Sequence, residues 1–159
     1  MLLLLTYTKI ATMSILPPTM TVFLRHATLG IWYSPFLNEP DPAHIPLPEM
    51  RDERLLISQV PSDPLHFAEE MTRKYPENRA YVLVPGRRFD RHGTRYGRGG
   101  GWYDRFLSEV PTSWLRIGVT RTQDLADGRL ERKPWDQPVD WLLIEADDGW
   151  HAVETKARA

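Results

Sequence analysis

Apolar residues recur along this chain in two rhythms, and their alternation predicts its elements. Continuous apolar runs mark strands buried on both faces: Leu29-Gly30-Ile31-Trp32-Tyr33, Tyr81-Val82-Leu83-Val84 and Leu115–Thr120. Two shorter runs, Arg54–Gln59 and Asp140–Glu145, are further strand candidates. Helical spacing appears twice. From Pro64 to Tyr75, Ala68, Met71 and Tyr75 fall on one face, and Pro64 suits a first turn. From Trp102 to Val110, Tyr103, Phe106, Leu107 and Val110 do the same, with Pro111 ending the helix. Asn38–Pro48 holds four prolines and reads as loop. From Ala146 onward the chain is polar and has little to bury, so residues 146–159 are expected to fray as a tail.

The order strand, loop, helix, strand across residues 81–120 predicts a parallel pair joined by a crossover. The expectation is therefore α/β: a three-layer sandwich around a small, mostly parallel sheet. At 159 residues the chain is one ordinary domain, able to bury roughly two thirds of the surface its unfolded form exposes. The domain is expected over residues 21–145. Met1–Leu5 is too short an apolar run to span a bilayer and lacks the basic flank of a secretory signal. Residues 1–20 are set aside as an extension, with Met13 and Met20 as alternative starts.

Charge changes the picture locally. The net charge of −1 gives no general bias toward nucleic acid or membrane. Arginine nevertheless outnumbers lysine sixteen to four, and six arginines lie between Arg87 and Arg105. Such a locally basic stretch in a neutral protein points to a small anionic ligand. Cysteine is absent, which excludes disulfides, thiolate catalysis and Cys-type zinc sites and fits a cytoplasmic location.

The arginines coincide with six of the ten glycines, between Gly86 and Gly101. The centre reads Arg95-Tyr96-Gly97-Arg98-Gly99-Gly100-Gly101-Trp102-Tyr103-Asp104. Glycines let backbone N–H groups approach a ligand, and a helix starting near Trp102 adds free N–H groups and a positive dipole end. Arg95 and Arg98 can clamp phosphate oxygens. Asp104, in the first helical turn, can hold a Mg²⁺ ion bridging those oxygens. The loop is neither a Walker A motif, which needs a lysine absent here, nor a dinucleotide fingerprint, which would need glycine where Trp102 stands. The plainer reading is a flexible turn followed by an acidic residue favouring its own helix. Asp90 reads as a turn-stabilising residue, His92 as a solvated loop histidine, and Glu69, Glu70, Arg73 and Lys74 as a charged helix face.

The run from Val84 to Arg105, VPGRRFDRHGTRYGRGGGWYDR, closely resembles the signature of the 5-formyltetrahydrofolate cyclo-ligase (methenyltetrahydrofolate synthetase) family. That signature is VPG, two variable residues, FD, two more, then GxRxGxGGGYYDR. Ile117-Gly118-Val119 with Gln123, and Lys133–Asp140, are similar to its downstream strand and its PxDxPxD stretch. Upstream, Ile31–Pro35 followed by Glu39 resembles the first strand and its folate-contacting Glu, and Ile45-Pro46-Leu47-Pro48 resembles the second strand. The resemblance implies ATP- and Mg²⁺-dependent closure of 5-formyltetrahydrofolate to 5,10-methenyltetrahydrofolate, in one-carbon folate metabolism. In the implied reaction the formyl oxygen attacks the γ-phosphate, with ADP leaving, to give an iminophosphate; the second folate nitrogen then attacks the activated carbon and phosphate leaves. It implies ATP binding by Arg95 through Tyr103, with Tyr96, Gly97, Gly99, Gly100 and Gly101 as backbone donors. Arg95 and Arg98 would be the catalytic cations. Asp104 and Asp136 would share the metal; Glu39, Trp102 and Tyr103 would bind the folate.

Two departures stand out. The family opens with a basic helix whose Lys reaches the nucleotide phosphates. Here only Lys9 and Arg25 precede Leu29, and neither sits in a helical pattern. Arg98 stands where the family usually has an aromatic residue and is a candidate replacement charge. The expectation is therefore an active ligase, with a degenerate nucleotide- or folate-binding module of the same family as the alternative. RNA binding by the Arg/Gly stretch is disfavoured, because it lies between buried strands in a slightly acidic protein. The expected partner is a reduced folate, with no nucleic acid or membrane partner, and the expected state is a monomer.

Overall fold

The apolar runs form five strands of one six-stranded sheet, in the order β2-β1-β3-β6-β7-β8, and the sixth, β8, comes from the polar stretch after residue 146. The computed structural model describes residues 15–49, 54–57, 61–76 and 79–157. The strands are β1 (Leu29–Tyr33), β2 (Arg54–Ile57), β3 (Ala80–Val84), β6 (Leu115–Arg121), β7 (Trp141–Ala146) and β8 (Gly149–Glu154). The first five strands in that order run parallel and β8 is antiparallel to β7. Two short strands, β4 (Arg88–Phe89) and β5 (Arg95–Tyr96), make a separate hairpin.

Side chains alternate across the sheet, as strand geometry requires. On β3, Val82 and Val84 join one core while Tyr81 and Leu83 join the other. The first core is roofed by α2 (Pro64–Lys74), through Phe67, Ala68 and Met71, and α3 (Trp102–Glu109), through Tyr103, Phe106 and Leu107. The second is roofed by α1 (Pro18–His26), through Met20 and Leu24. The architecture is thus the expected three-layer sandwich. Helix α2 starts as its sequence dictates: Asp63 Oδ1 accepts the Leu65 and His66 N–H groups at 3.0 and 3.1 Å, with Pro64 at the first turn. Glu69, Glu70, Arg73 and Lys74 lie on its exposed face.

Three expectations are corrected. Residues 15–20 pack with the domain: Leu16 and Met20 are buried, and α1 begins at Pro18, so Arg25 does lie on a helix, exposed in its last turn. The polar stretch after residue 146 does not simply fray. Residues Gly149–Glu154 pair with β7 in full register, from Ala146↔Gly149 to Trp141↔Glu154. Ile45–Pro48 is irregular; the strand beside β1 is Arg54–Ile57. Prolines at 46 and 48 lack the N–H groups a ladder needs. Between Tyr33 and Glu49 a single 3₁₀ turn, Pro42–His44, is the one regular element.

The β4–β5 hairpin is locked to the sheet by one apolar and one polar anchor. Phe89 is fully buried, and its ring lies so close to Gly118 on β6 that an added Cβ would stand 2.6 Å from Phe89 Cε1. Asp90, also fully buried, accepts three backbone N–H groups. His92 and Thr94 donate to Oδ1 at 2.9 Å each, and Leu130 donates to Oδ2 at 2.7 Å. Asp90 therefore has the turn-stabilising role expected of it. Arg132 closes the same turn through the His92 carbonyl and the Thr94 hydroxyl.

Gly118→Ala is expected to destabilise the fold by roughly 1–3 kcal/mol through overpacking against Phe89, read as a lowered urea midpoint. Asp90→Ala, which strands buried donors, is expected to cost about 3 kcal/mol. Asp90→Asn, which keeps an acceptor toward the turn, should cost distinctly less in the same titration.

Candidate functional site

The strand order reverses between β1 and β3, so the loops leaving their carboxyl ends diverge and open a crevice. That crevice is a cleft of about 650 Å³, lined by residues 33–39 from the β1 loop, 85–87 and 95–104 from the β3 loop, and 131–136 from the segment before β7. Glu39, Arg95 through Asp104 and Asp136, all expected at the site, line this one cleft.

Arg95 forms its floor. The residue is 7% exposed. Its Nη1 donates to the Pro85 carbonyl at 3.0 Å, and Nη2 lies 3.8 Å from Asp104 Oδ2. The guanidinium carbon sits 5.3 Å from the centre of the Tyr103 ring, and Nε has no hydrogen-bond partner among the described residues. Burial pulls the guanidinium pKa down from its usual value, while Asp104 works against that shift. Arginine starts so high that it stays charged. The site therefore contains a fixed, partly unsatisfied positive charge. Burial pushes the Tyr103 hydroxyl up as well, opposed by Arg95, so it stays neutral.

Above Arg95 the glycine loop turns into α3. Gly99 (φ +98°) and Gly101 (φ +63°) adopt backbone that side chains disfavour, although nothing stands within 4 Å of an added Cβ. Their glycines therefore serve conformation, with no close packing to explain them. Gly101 caps α3 without any side-chain acceptor, which leaves first-turn donors for a ligand. Asp104, in that turn, has one oxygen on Arg95 and the other accepting the Gln137 N–H at 3.0 Å. This bond draws the loop carrying Asp136 to the cleft, where Asp136 Oδ2 accepts the Lys133 N–H at 2.8 Å.

Among the described residues no three His, Cys, Asp or Glu side chains gather into a metal cluster. Two carboxylates on one cleft still fit Mg²⁺, which commonly takes one or two protein carboxylates and completes its shell from phosphates and water.

The aromatic pair divides its work. Trp102 stacks on Phe106 at 5.1 Å and 19°, approaches Phe67, and donates its Nε1 to the Pro61 carbonyl at 2.6 Å. It anchors α3 to α2 as well as bordering the cleft. On the opposite wall, Glu39 Oε1 accepts Arg98 Nε at 3.1 Å and its Oε2 accepts the Phe36 N–H at 2.8 Å. Tyr96 reaches across to the Glu131 carbonyl at 3.0 Å. His92 contributes nothing to the lining.

Sequence reasoning missed Tyr33 and Phe36 on this wall, and, outside the lining, Arg121, which braces the β1 loop by donating to the Asn38 carbonyl and pairs with Glu145 at 3.2 Å. Tyr33 donates to the Pro40 carbonyl at 2.6 Å, shaping the loop that carries Glu39. The available signal was position: these residues close or flank strands β1 and β6 at their carboxyl ends.

A family model described as the 5-formyltetrahydrofolate cyclo-ligase family matches residues 30–145. A 5-formyltetrahydrofolate cyclo-ligase from Mycolicibacterium smegmatis is 37% identical over 62 residues, 39% of this chain and 31% of that protein. The match thus spans about a third of that relative's length. The fold resembles the solved 5,10-methenyltetrahydrofolate synthetase from Mycoplasma pneumoniae, with a TM-score of 0.52, 19% identity and 79% of each chain covered. It also resembles that from Aquifex aeolicus, with a TM-score of 0.52, 23% identity, and 89% and 76% covered. At such identities the two structures speak to the fold alone. The matched segment runs from β1 through β7 and contains every residue of the cleft described above, and the chain belongs to the 5-formyltetrahydrofolate cyclo-ligase family.

Proposed function

We propose that this protein closes 5-formyltetrahydrofolate to 5,10-methenyltetrahydrofolate at the expense of ATP, with Mg²⁺ held at the cleft. The observation that carries the reading is the buried Arg95 guanidinium, fixed by Pro85 and Asp104 beneath a glycine loop that opens a helix. Membership of the family supports the substrate class. The location at the strand-order reversal supports the division of the cleft, with the nucleotide tail against residues 95–101 and the folate toward Glu39 and Tyr103.

In this reading the residues mostly position and compensate charge, as phosphoryl transfer demands. Arg95 and the backbone donors of Gly97–Gly101 hold phosphate oxygens. Arg95 is already desolvated and braced, so little reorganisation accompanies the development of charge. Asp104 and Asp136 hold the metal, which supplies further neutralisation of phosphate charge. Tyr103, neutral and packed against Arg95, walls the cleft and helps to exclude water. Glu39 offers a carboxylate to the donors of the folate ring. Trp102 contributes an edge while keeping α3 in register with α2.

The full-length protein with ATP, Mg²⁺ and 5-formyltetrahydrofolate is expected to give the rising near-ultraviolet absorbance of the methenyl product. Absence of a rise, together with nucleotide-dependent thermal stabilisation, would assign the non-catalytic binding module instead. Arg95→Lys is expected to lower kcat by roughly 10²-fold while the variant remains folded, because a point ammonium cannot reproduce the braced fork. Chelation of Mg²⁺ should abolish turnover reversibly, and Asp104→Asn should raise the Mg²⁺ concentration at half-maximal rate by about tenfold or more. An Asp104→Asn enzyme with unchanged Mg²⁺ dependence would remove that residue from the metal site.

A further inference from the structure

Arg98 is the residue of the loop that does not lie with the phosphate-binding group. Its Nε sits 3.1 Å from Glu39 Oε1, fifty-nine positions away in the chain, and its guanidinium carbon lies 4.8 Å from the centre of the Phe36 ring. The contact bridges the two walls of the cleft. The Glu39 side chain is 8% exposed and that of Arg98 is 42% exposed. An ion pair with one partner this open to solvent is weak and readily exchanged. Arg98 is followed by Gly99 at φ +98° and by two more glycines with open space around their Cα atoms, so its backbone has room to re-aim the side chain.

Resting on the proposed function, we propose that Arg98 is a positioning residue that couples the two ligands. With the cleft empty it occupies the Glu39 carboxylate. A folate ring, whose N–H donors suit that carboxylate, competes with the guanidinium and displaces it. The released Arg98 then turns to the nucleotide's phosphate tail, beside Arg95. Folate and nucleotide therefore favour each other's binding, and by linkage each tightens the other by the same factor. A merely structural staple between the walls would have the opposite signature: loosening it would weaken both ligands and leave their mutual effect unchanged.

Calorimetry on the full-length protein separates these cases, using 5-formyltetrahydrofolate and a non-hydrolysable Mg²⁺–ATP analogue, each alone and each at saturation of the other. In the parent protein each ligand is expected to tighten the other about fivefold or more. In Arg98→Ala the factor is expected to fall to about one, while folate alone binds no more weakly. Glu39→Gln releases Arg98 without folate, so the nucleotide analogue alone should bind more tightly. That gain should vanish in the Glu39→Gln/Arg98→Ala double variant, which separates release of Arg98 from simple loss of a negative charge near phosphate. Arg98→Lys, which keeps charge but loses the fork, should retain part of the coupling and serves if the alanine variant fails to fold. Both ligands binding the parent with a coupling that Arg98 substitutions leave unaltered, or with no coupling at all, would overturn the inference alone. Failure of both ligands to bind the folded parent protein would overturn the proposed function and this inference together.

Discussion

The cleft is organised around a positive charge that the protein keeps out of water. Burying a guanidinium is unfavourable unless its donors are met, and Arg95 is met incompletely: Pro85 takes one nitrogen, Asp104 lies near another, and Nε has no partner among the described residues. The arrangement ties together elements that no local propensity would unite. Pro85 follows β3, Asp104 belongs to the first turn of α3, and Asp104 in turn accepts from Gln137 in the segment before β7. A single buried cation thus ties together three chain segments.

The rest of the fold keeps that placement rigid. The hairpin carrying Arg95 is held below by Phe89 against Gly118 and at its turn by Asp90. Helix α3, whose N-terminus faces the cleft, is held by the aromatic stack of Trp102 and Phe106 with Phe67 on α2. Arg116, nearly buried at the start of β6, donates to the Leu107 carbonyl at 2.8 Å and to Gln137 Oε1 at 3.1 Å, joining α3 to the Asp136 segment from behind. Rigidity of this kind suits a site whose main task is to hold charged groups in place. The β1 loop differs. It is joined to the glycine loop by the half-exposed Arg98–Glu39 pair, and it presents Phe36 and Leu37 to solvent, at 55% and 82% exposure. The two walls of the cleft therefore differ in how firmly they are held.

Elements whose burial is complete were legible as patterns. Strands β3, β6 and β7 lie in the interior of the sheet, so apolar runs mark them directly, and α2 and α3 bury one face each at helical spacing. Elements whose stability comes from a distant partner were not. Strand β8 is an edge strand, polar and largely open on one side, and it exists because β7 offers a ladder. Helix α1 begins with Pro18 and carries Met20 and Leu24 inward, a face that gains meaning only with the sheet beneath it. Strand β2 was legible in the apolar run that begins at Arg54, whereas Ile45–Pro48, likened to a strand by family resemblance, cannot donate to a ladder at two of its four positions.

By itself the sequence determined the fold class and the order of the central strands and helices, and it singled out the stretch Arg95–Asp104, which lines the cleft. Each rests on interactions between neighbours in the chain: apolar periodicity, glycine conformations and a charge at a helix start. Only the tertiary structure decided what those groups do. It put Glu39 opposite Arg98, sank Arg95 beneath the loop while leaving Arg98 at the surface, and turned Trp102 partly into a packing residue. Two arginines three positions apart look equivalent in a linear reading. Burial and partners drawn from residues 39, 85 and 104 separate them, because desolvation and Coulomb energy depend on distance in space and are blind to distance along the chain.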